Sequence, residues 1–410
     1  MADAPWDVVV IGAGAAGLVA AISAAERGRR TLLLEKNRKA GVKILMSGGT
    51  RCNLTHATDN GGIVEAFGSP GRFLHSALAA FSVDATVAFF EAEGVATKVE
   101  EKGKVFPVSN KATDVLAALL RRLERSGAAL GLEEPVSDLQ RVANGFALQT
   151  PRRVVNAARV VLTSGGQSYP GSGTTGDGYR LLAPFGHTIV PPRPALVPVT
   201  VAAPWVADLR GITVPDAAVR VREETKLLAQ RRGSLLFAHF GLSGPVVLDV
   251  SRAVSGHAQP AALHLDIDPL PAMNEVELGE FLRRESASAG KKQLAGVLAS
   301  RLPRRLCEAL LLQAGLPAER TAAALSKEDR TRLVATAKHL QIPVTGTLGF
   351  KKAEVTAGGV ALDDVDSRTM QSRLVPGLFI AGEVLDLDGP IGGYNFQAAW
   401  STGWLAGLSV

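Results

Sequence analysis

The chain has 410 residues, 46% of them apolar and 20% charged, which excludes intrinsic disorder and fibrous or coiled-coil repeats as its main state. At about 150 residues per domain, that length holds two or three domains. The 45 Lys and Arg against 39 Asp and Glu leave a net charge of +6, which permits an acidic partner without demanding one.

Val8 to Ala25 carries no charge, and a stretch of this kind invites comparison with a membrane span. Its β-branched first part, Ala-rich second part and intervening glycines read instead as strand, turn and helix. Asp7–Ile11 is a predicted strand, Ala15–Arg27 a helix and Arg30–Glu35 a second strand, so the β-α-β order predicts a parallel sheet. A Gly-rich loop (Gly41–Asn53) follows, then helices around Phe73–Glu93 and Ala112–Ser126. Another apolar strand, Val160–Thr163, runs into Ser164-Gly165-Gly166.

Pro191–Pro194 is a predicted break and a domain boundary. Beyond it Leu196–Val201, Ala217–Arg222 and Ala261–Asp268 read as strands. In the last, Leu263, Leu265 and Ile267 alternate with His264, Asp266 and Asp268, which predicts an antiparallel sheet or barrel with one wet face. From Glu275 to about Leu340 the pattern is helical, with Leu294, Leu298, Leu302, Leu306 and Leu310 spaced four apart. The chain turns near Gly346. Val375–Ala381 is a further strand, followed by a Gly-rich loop and a last helix from Asn395. The expected domains are 1–190 with 345–410, then 191–272 with about 337–345, and a helical module at 273–336. Cys52 and Cys307 are too few for a disulfide framework and, with no secretory leader, suggest a cytoplasmic protein.

Gly12-Ala-Gly14-Ala15-Ala-Gly17 lies between a strand and a helix. There glycines allow a tight turn, close approach of a diphosphate and tight helix packing, and the helix N-terminus favours the anion. Glu35, at the end of the second strand and followed by Lys36, is placed to accept both hydroxyls of an adenosine ribose. The late segment favours FAD over NAD as the resident dinucleotide. A strand delivers Gly382-Glu383 to a loop suited to a ribityl chain, and Gly392-Gly393-Tyr394-Asn395 opens a helix whose N-terminus suits the reduced flavin. No second dinucleotide fingerprint exists. NAD(P)H is therefore expected either as a transient electron donor that visits without a domain of its own, or to be replaced by another donor.

With these residues assembled, the chain resembles the BaiN/RdsA-type flavoproteins, also described as NAD(P)/FAD-dependent oxidoreductases or the aminoacetone oxidase family. The resemblance rests on Gly41–Thr55 (GVKILMSGGTRCNLT), Ser164–Tyr179 (SGGQSYPGSGTTGDGY), His239–Arg252 (HFGLSGPVVLDVSR), Glu354–Val360 (EVTAGGV) and Gly382–Gly403 (GEVLDLDGPIGGYNFQAAWSTG). It implies an α/β fold: a Rossmann-like, glutathione-reductase-like FAD domain interrupted by a β-rich, barrel-like module and a helical module. It also implies that Lys43, Ser47, Gly48, Gly49, Arg51, Cys52 and Asn53 line the FAD, with Ser164, Gly165 and Gly166. Arg51 is the expected partner of the diphosphate, and Cys52 reads as a spectator thiol. Two departures stand out: Thr50 where a third glycine is common, and Thr163-Ser164 in place of the usual Ala-Thr.

The seven histidines form no metal-type cluster in sequence, so no metal is expected. His239, in the loop of the β module, is the candidate proton donor, and Tyr394 the reserve. The leading reaction is NAD(P)H-dependent reduction of an activated C=C bond in a small molecule, by hydride transfer from flavin N5. Two alternatives stand beside it: oxidation of a small amine by oxygen, and reduction of a ribosomal RNA uridine. The last is a chemistry that the resemblance implies, and charge adds a clue to it: 12 Lys and Arg against 8 Asp and Glu lie between Pro271 and Leu340, including Arg283-Arg284, Lys291-Lys292 and Arg304-Arg305. A small molecule is the first expectation for a partner and RNA the second, with no membrane. No motif sets an oligomeric state.

Overall fold

The computed structural model describes residues 5–288 and 291–410. The chain divides into two compact units, Met1–Arg193 with Val355–Val410, and Pro194–Glu354. Among the described residues, no single helix is long and apolar enough to cross a membrane.

The first unit is wound around β1 (Trp6–Ile11), α1 (Ala15–Glu26) and β2 (Thr31–Leu34). To these the chain later adds β3 (Val154–Leu162) and β4 (Leu378–Ile380). The parallel order is Ala129–Gly131, β2, β1, β3, β4. The first half of β3 instead pairs antiparallel with Gly145–Gln149. β1 is buried on both faces, as a central parallel strand must be: Val8 and Val10 enter one core, Val9 and Ile11 the other. The register sets the site. Ile11 pairs with both Leu34 and Leu162, and Leu162 with Ile380, so four strands end level at one carboxyl edge. Gly12, Glu35, Thr163 and Ala381 therefore leave the sheet together, where ligands of open α/β sheets bind.

The final helix, α2 (Tyr394–Ser409), lies against α1 at glycine distance. A Cβ on Gly403 would stand 2.3 Å from the Ala16 carbonyl oxygen, and one on Gly407 2.4 Å from that of Ala20.

The second unit is a closed barrel in the order Val199–Val201, Gly241–Ser243, Lys226–Ala238, Thr213–Glu223, Leu263–Asp268, Leu340–Thr347. Its core continues without a break into the helices Pro245–Ser255, Glu275–Ser288, Leu294–Leu298, Arg304–Gln313 and Lys327–Lys338. Lys338 joins the two parts. Its ammonium pairs with Asp268 and donates to the Leu270 and Met273 carbonyls, with both charged side chains buried.

Three local expectations shift. The Pro191–Pro194 stretch lies in an extended strand, Ile189–Ala195, laddered with Val355–Val360; proline fits there because this sheet has only two strands. Leu340 begins a barrel strand, since Leu340, Ile342 and Val344 are buried in alternation with exposed Gln341 and Pro343. The Gly41–Asn53 loop opens as a helix, Val42–Thr50, that breaks at Ser47.

Candidate functional site

The glycines of the fingerprint divide into two kinds. A Cβ on Gly12 would lie 2.7 Å from the Thr163 carbonyl oxygen, and one on Gly17 would lie 1.8 Å from the Gly12 oxygen. These two exist for packing. A Cβ on Gly14 would meet nothing within 4 Å. Gly14 is also the N-cap of α1, with no side-chain cap, so the helix end presents its amides to open space.

Thr163 ties this turn down: its hydroxyl donates to the Ile11 and Gly12 carbonyls, at 2.9 Å each. The departure from the usual Ala thus adds a hydroxyl that braces the turn. Next to it, the Ser164 hydroxyl is buried without a hydrogen-bond partner, as are Asn53 Oδ1 and the Tyr179 hydroxyl. Each such atom costs about 1–3 kcal/mol unless a ligand or solvent satisfies it. Burial, with Glu383 and Asp386 nearby, pushes the Tyr179 phenol well above its ordinary range.

Glu35 is buried and already oriented. Its Oε2 accepts from the Ala13 amide at 2.8 Å and its Oε1 from the Asn37 amide at 2.9 Å. A carboxylate has about four acceptor positions, so capacity remains for a diol. Lys36 turns elsewhere, to Asp177 at 2.5 Å and Thr175 at 2.8 Å.

Glu383 is the second organised acid. Lys43 Nζ meets its Oε2 at 2.5 Å, while Ser168 Oγ at 2.7 Å and the Thr356 amide at 2.9 Å donate to its Oε1. Lys43 also donates to Ser168 Oγ at 2.7 Å. Thr356 Oγ1 accepts from the Gln167 and Ser168 amides and fills the space beside Gly166. Three distant segments are thus pinned at Glu383. Gly382 follows suit: a Cβ there would lie 2.7 Å from that of Ala16, so the β4 loop lies directly against α1.

Ser47 to Asn53 forms an unusual run. Gly48, Gly49 and Thr50 take φ of 55°, 67° and 70°, and Cys52 takes 61°. Thr50 occupies a left-handed conformation that only glycine adopts freely, which explains the glycine common at that position. Gly49, like Gly14, has nothing within 4 Å of a notional Cβ. Arg51, expected at the diphosphate, bonds Glu100 at 2.9 Å and lies over the Phe106 ring at 4.0 Å. Cys52 is buried, which pushes its thiol up to about 12, so it stays protonated and unreactive at neutral pH.

This run meets the C-terminal loop. Thr55 Oγ1 donates to Gln397 at 2.6 Å, and Trp400 donates to the Leu54 carbonyl at 2.9 Å. A Cβ on Gly393 would lie 2.4 Å from the Thr55 carbonyl oxygen, so that glycine is a packing requirement. Asn395 is engaged in its own loop, accepting from the Gly389 amide and donating to the Gly389 carbonyl. Tyr394 stacks on His56, ring centroids 4.5 Å apart. Gly165 takes φ of 75° in the turn after β3.

His239 belongs to the second unit. It is exposed at the turn between two barrel strands, its ring edge-on to Phe240, and lines a crevice of about 300 Å³ with Val201, Pro204 and Val206.

Sequence reasoning missed Ser168, Thr356, Thr163 and His56 as organisers of this site. Ser168 and His56 lay inside or beside long motifs, but only the fold shows what they touch. The arrangement can seat an elongated diphosphate-bearing dinucleotide. Gly14 and Gly49 leave its path clear, two pre-oriented carboxylates suit sugar hydroxyls, and unsatisfied Ser164 and Asn53 supply further polar contacts. The residues fit FAD.

Comparison with known proteins agrees. Residues 6–409 match the family described as HI0933-like protein Rossmann domain. The chain is 35% identical over 402 residues to the ribosomal RNA dihydrouridine synthase of Escherichia coli, covering 97% of this chain and 96% of that one. It is 33% identical over 408 residues to the Haemophilus influenzae protein of the same name, with 98% of each covered. Identity is 32% over 408 residues to the 3-dehydro-bile acid delta(4,6)-reductase of Clostridium scindens, again with 98% of each covered. Among solved structures, the 3-ketosteroid delta1-dehydrogenase of Sterolibacterium denitrificans superposes with a TM-score of 0.53 at 15% identity, covering 98% of both chains. That likeness concerns the fold alone.

Proposed function

The chain belongs to the HI0933-like family, a family of FAD-dependent oxidoreductases, and we propose that it reduces the C5=C6 bond of a uridine in ribosomal RNA. The observation that carries this reading is end-to-end similarity, at 35% and 33% identity, to two proteins named ribosomal RNA dihydrouridine synthase. These matches span the inserted second unit as well as the sheet. The relatives favour RNA over a free small molecule, although the bile-acid reductase shows that the same family also takes steroid-like enones. Both substrates present a C=C bond conjugated to a carbonyl. None of the three relatives named above is an amine oxidase by name.

The net reaction consumes one NAD(P)H and one proton: two hydrogens are added across C5=C6 and NAD(P)⁺ is released. Bound FAD supplies the two-electron carrier between donor and substrate. The protein's part is placement. Gly14 and Ala15 receive the diphosphate at the start of α1, on a turn that Gly12 and Gly17 let pack, and Glu35 takes the adenosine ribose. Lys43 and Glu383, braced by Ser168 and Thr356, take the sugar-alcohol chain. Ser47–Gly49 and Asn53, with Ser164–Gly166, line the ring, and the Gly392–Gly393 turn offers the positive end of α2. His239 and Tyr394 are the proposed proton donors.

Exposed Lys291, Lys292, Arg304 and Arg305 are the proposed phosphate contacts. Arg304 donates at 2.8 Å to Gln293, the residue that follows Lys292 in the chain.

The test supplies purified protein with FAD, NADH or NADPH, and unmodified ribosomal RNA, and follows dihydrouridine by the gain of two hydrogens in nuclease digests. RNA that gains none while NAD(P)H still reduces the flavin overturns the reading. Turnover of a steroid enone in the same preparation would then identify the substrate as a small molecule.

A further inference from the structure

The Gly392–Gly393 peptide is an unusual thing to place at a functional helix start. Both flanking residues are glycine, with φ of 134° and 99°, so neither Cβ resists rotation of the peptide plane between them. A peptide is planar and trans, so its carbonyl and its amide point in opposite directions. Whatever holds the Gly392 carbonyl therefore aims the Gly393 amide, at the N-terminus of the sixteen-residue helix Tyr394–Ser409.

That carbonyl is held by His56. The imidazole Nδ1 lies 3.1 Å from the Gly392 oxygen. A carbonyl can only accept, so Nδ1 carries the proton. The ring itself is fixed. It stacks on Tyr394 with 19° between planes, and Gly103 opposite leaves it room, since a Cβ there would stand 2.6 Å from Nε2. His56 sits on the short strand Thr55–His56, which pairs antiparallel with Lys104–Pro107, so the lock is anchored in a sheet.

We infer that His56 is a positioning residue for the flavin: its hydrogen bond to Gly392 locks the Gly-Gly peptide so that the Gly393 amide points at the cofactor. The inference rests on the FAD reading above. An aimed amide stabilises negative charge, which the flavin gains on reduction, so loss of the lock makes the flavin harder to reduce.

The experiment measures the midpoint potential and visible spectrum of the FAD-loaded protein. His56→Phe keeps a ring on Tyr394 and loses the donor. Its two-electron reduction should become at least tenfold less favourable, about 30 mV more negative. In His56→Asn, where the amide nitrogen takes the place of Nδ1, most of this is restored. A purely structural role predicts no such rescue. If His56→Phe fails to retain FAD, the near-isosteric pair His56→Asn and His56→Leu carries the comparison, with Asn again closer to wild type. Equal potentials across the donor and non-donor variants overturn the inference. Failure of the wild-type protein to bind FAD overturns the underlying reading instead, so the two outcomes are distinct.

Discussion

Gly14→Ala separates folding from cofactor binding at the same turn. Gly14 has φ −82° and ψ −165°, a conformation alanine adopts freely, and its new methyl would meet nothing within 4 Å. The cost to the apoprotein is the N-cap preference alone, up to about 1 kcal/mol, or roughly 2–4 °C in Tm for a unit of this size. Binding should suffer far more. The methyl occupies the approach to the start of α1, and forcing a bulky group into occupied space costs about 1–3 kcal/mol, a ~5–150-fold weaker FAD Kd. Titration of apoprotein with FAD, read by quenching of flavin fluorescence, measures this directly, and circular dichroism supplies the Tm. Gly17→Ala is the opposite case: its methyl would lie 1.8 Å from the Gly12 oxygen, so the protein should fail to fold stably whether or not FAD is present. FAD affinity unchanged in Gly14→Ala would refute the assignment of the diphosphate to this turn.

Three further outcomes follow from single residues. Thr50→Gly removes a β-branched side chain held at φ 70°, and relief of that strain less the added chain entropy should raise stability by about 1 kcal/mol in a denaturant titration; a loss would show that Thr50 makes an important contact. Lys338→Met strands Asp268 in the core of the second unit and should cost about 3–5 kcal/mol by the same measurement, with little effect meaning that water reaches the pair. Burial holds the His187 imidazole below its ordinary value of 6.5, and Ser372 and the Leu182 carbonyl satisfy its neutral form. The unfolded chain therefore takes up a proton that the folded chain refuses, so stability falls as pH drops through about 6.5. His187→Gln should flatten that slope, and an unchanged slope would assign it to other groups.

What could be read from the sequence followed from how local each feature is. Gly12 to Gly17 lies between a strand and a helix within six consecutive residues, and Glu35 ends the next strand, so the chain itself sets their spacing. The barrel strand Leu263–Asp268 showed through its apolar–polar alternation, but its polar face is not wet: Asp266 and Asp268 are buried, paired with Arg220, Arg222 and Lys338. Lys43 and Glu383 could each be named, yet their ion pair joins residues 340 positions apart, and nothing local requires it. Thr356 beside Gly166 is the same kind of fact, since a side chain fills space that the glycine leaves empty 190 residues earlier. Arg51 illustrates how a distant partner adds to a local reading. A cation next to a Gly-Gly turn suggests a phosphate, but Glu100 and Phe106, brought near by a separate hairpin, engage it first. Asn395 likewise looked like a cofactor contact, and its side chain holds its own loop.

The site's construction bears on how it would bind. Both carboxylates proposed for sugar hydroxyls are oriented by protein donors, Glu35 by two backbone amides and Glu383 by Lys43, Ser168 and Thr356. Those bonds exist without a ligand, so little ordering cost remains to be met on binding. Polar atoms left buried and unpaired lie at other points, Ser164 Oγ after β3 and Asn53 Oδ1 after the left-handed run. Each gains its missing partner only when something polar arrives, so the gain from filling the site concentrates there. Rigidity and unmet demand are thus assigned to different residues. The glycines follow the same division: Gly12, Gly17, Gly393 and Gly403 let backbone touch backbone, while Gly14 and Gly49 keep space clear. Bonded acids, open glycines and unpaired polar atoms at a sheet edge suit a long, polar, sugar-phosphate ligand before any chemistry begins. The Gly392–Gly393 peptide, whose carbonyl His56 holds, is the joint proposed above to face the flavin ring.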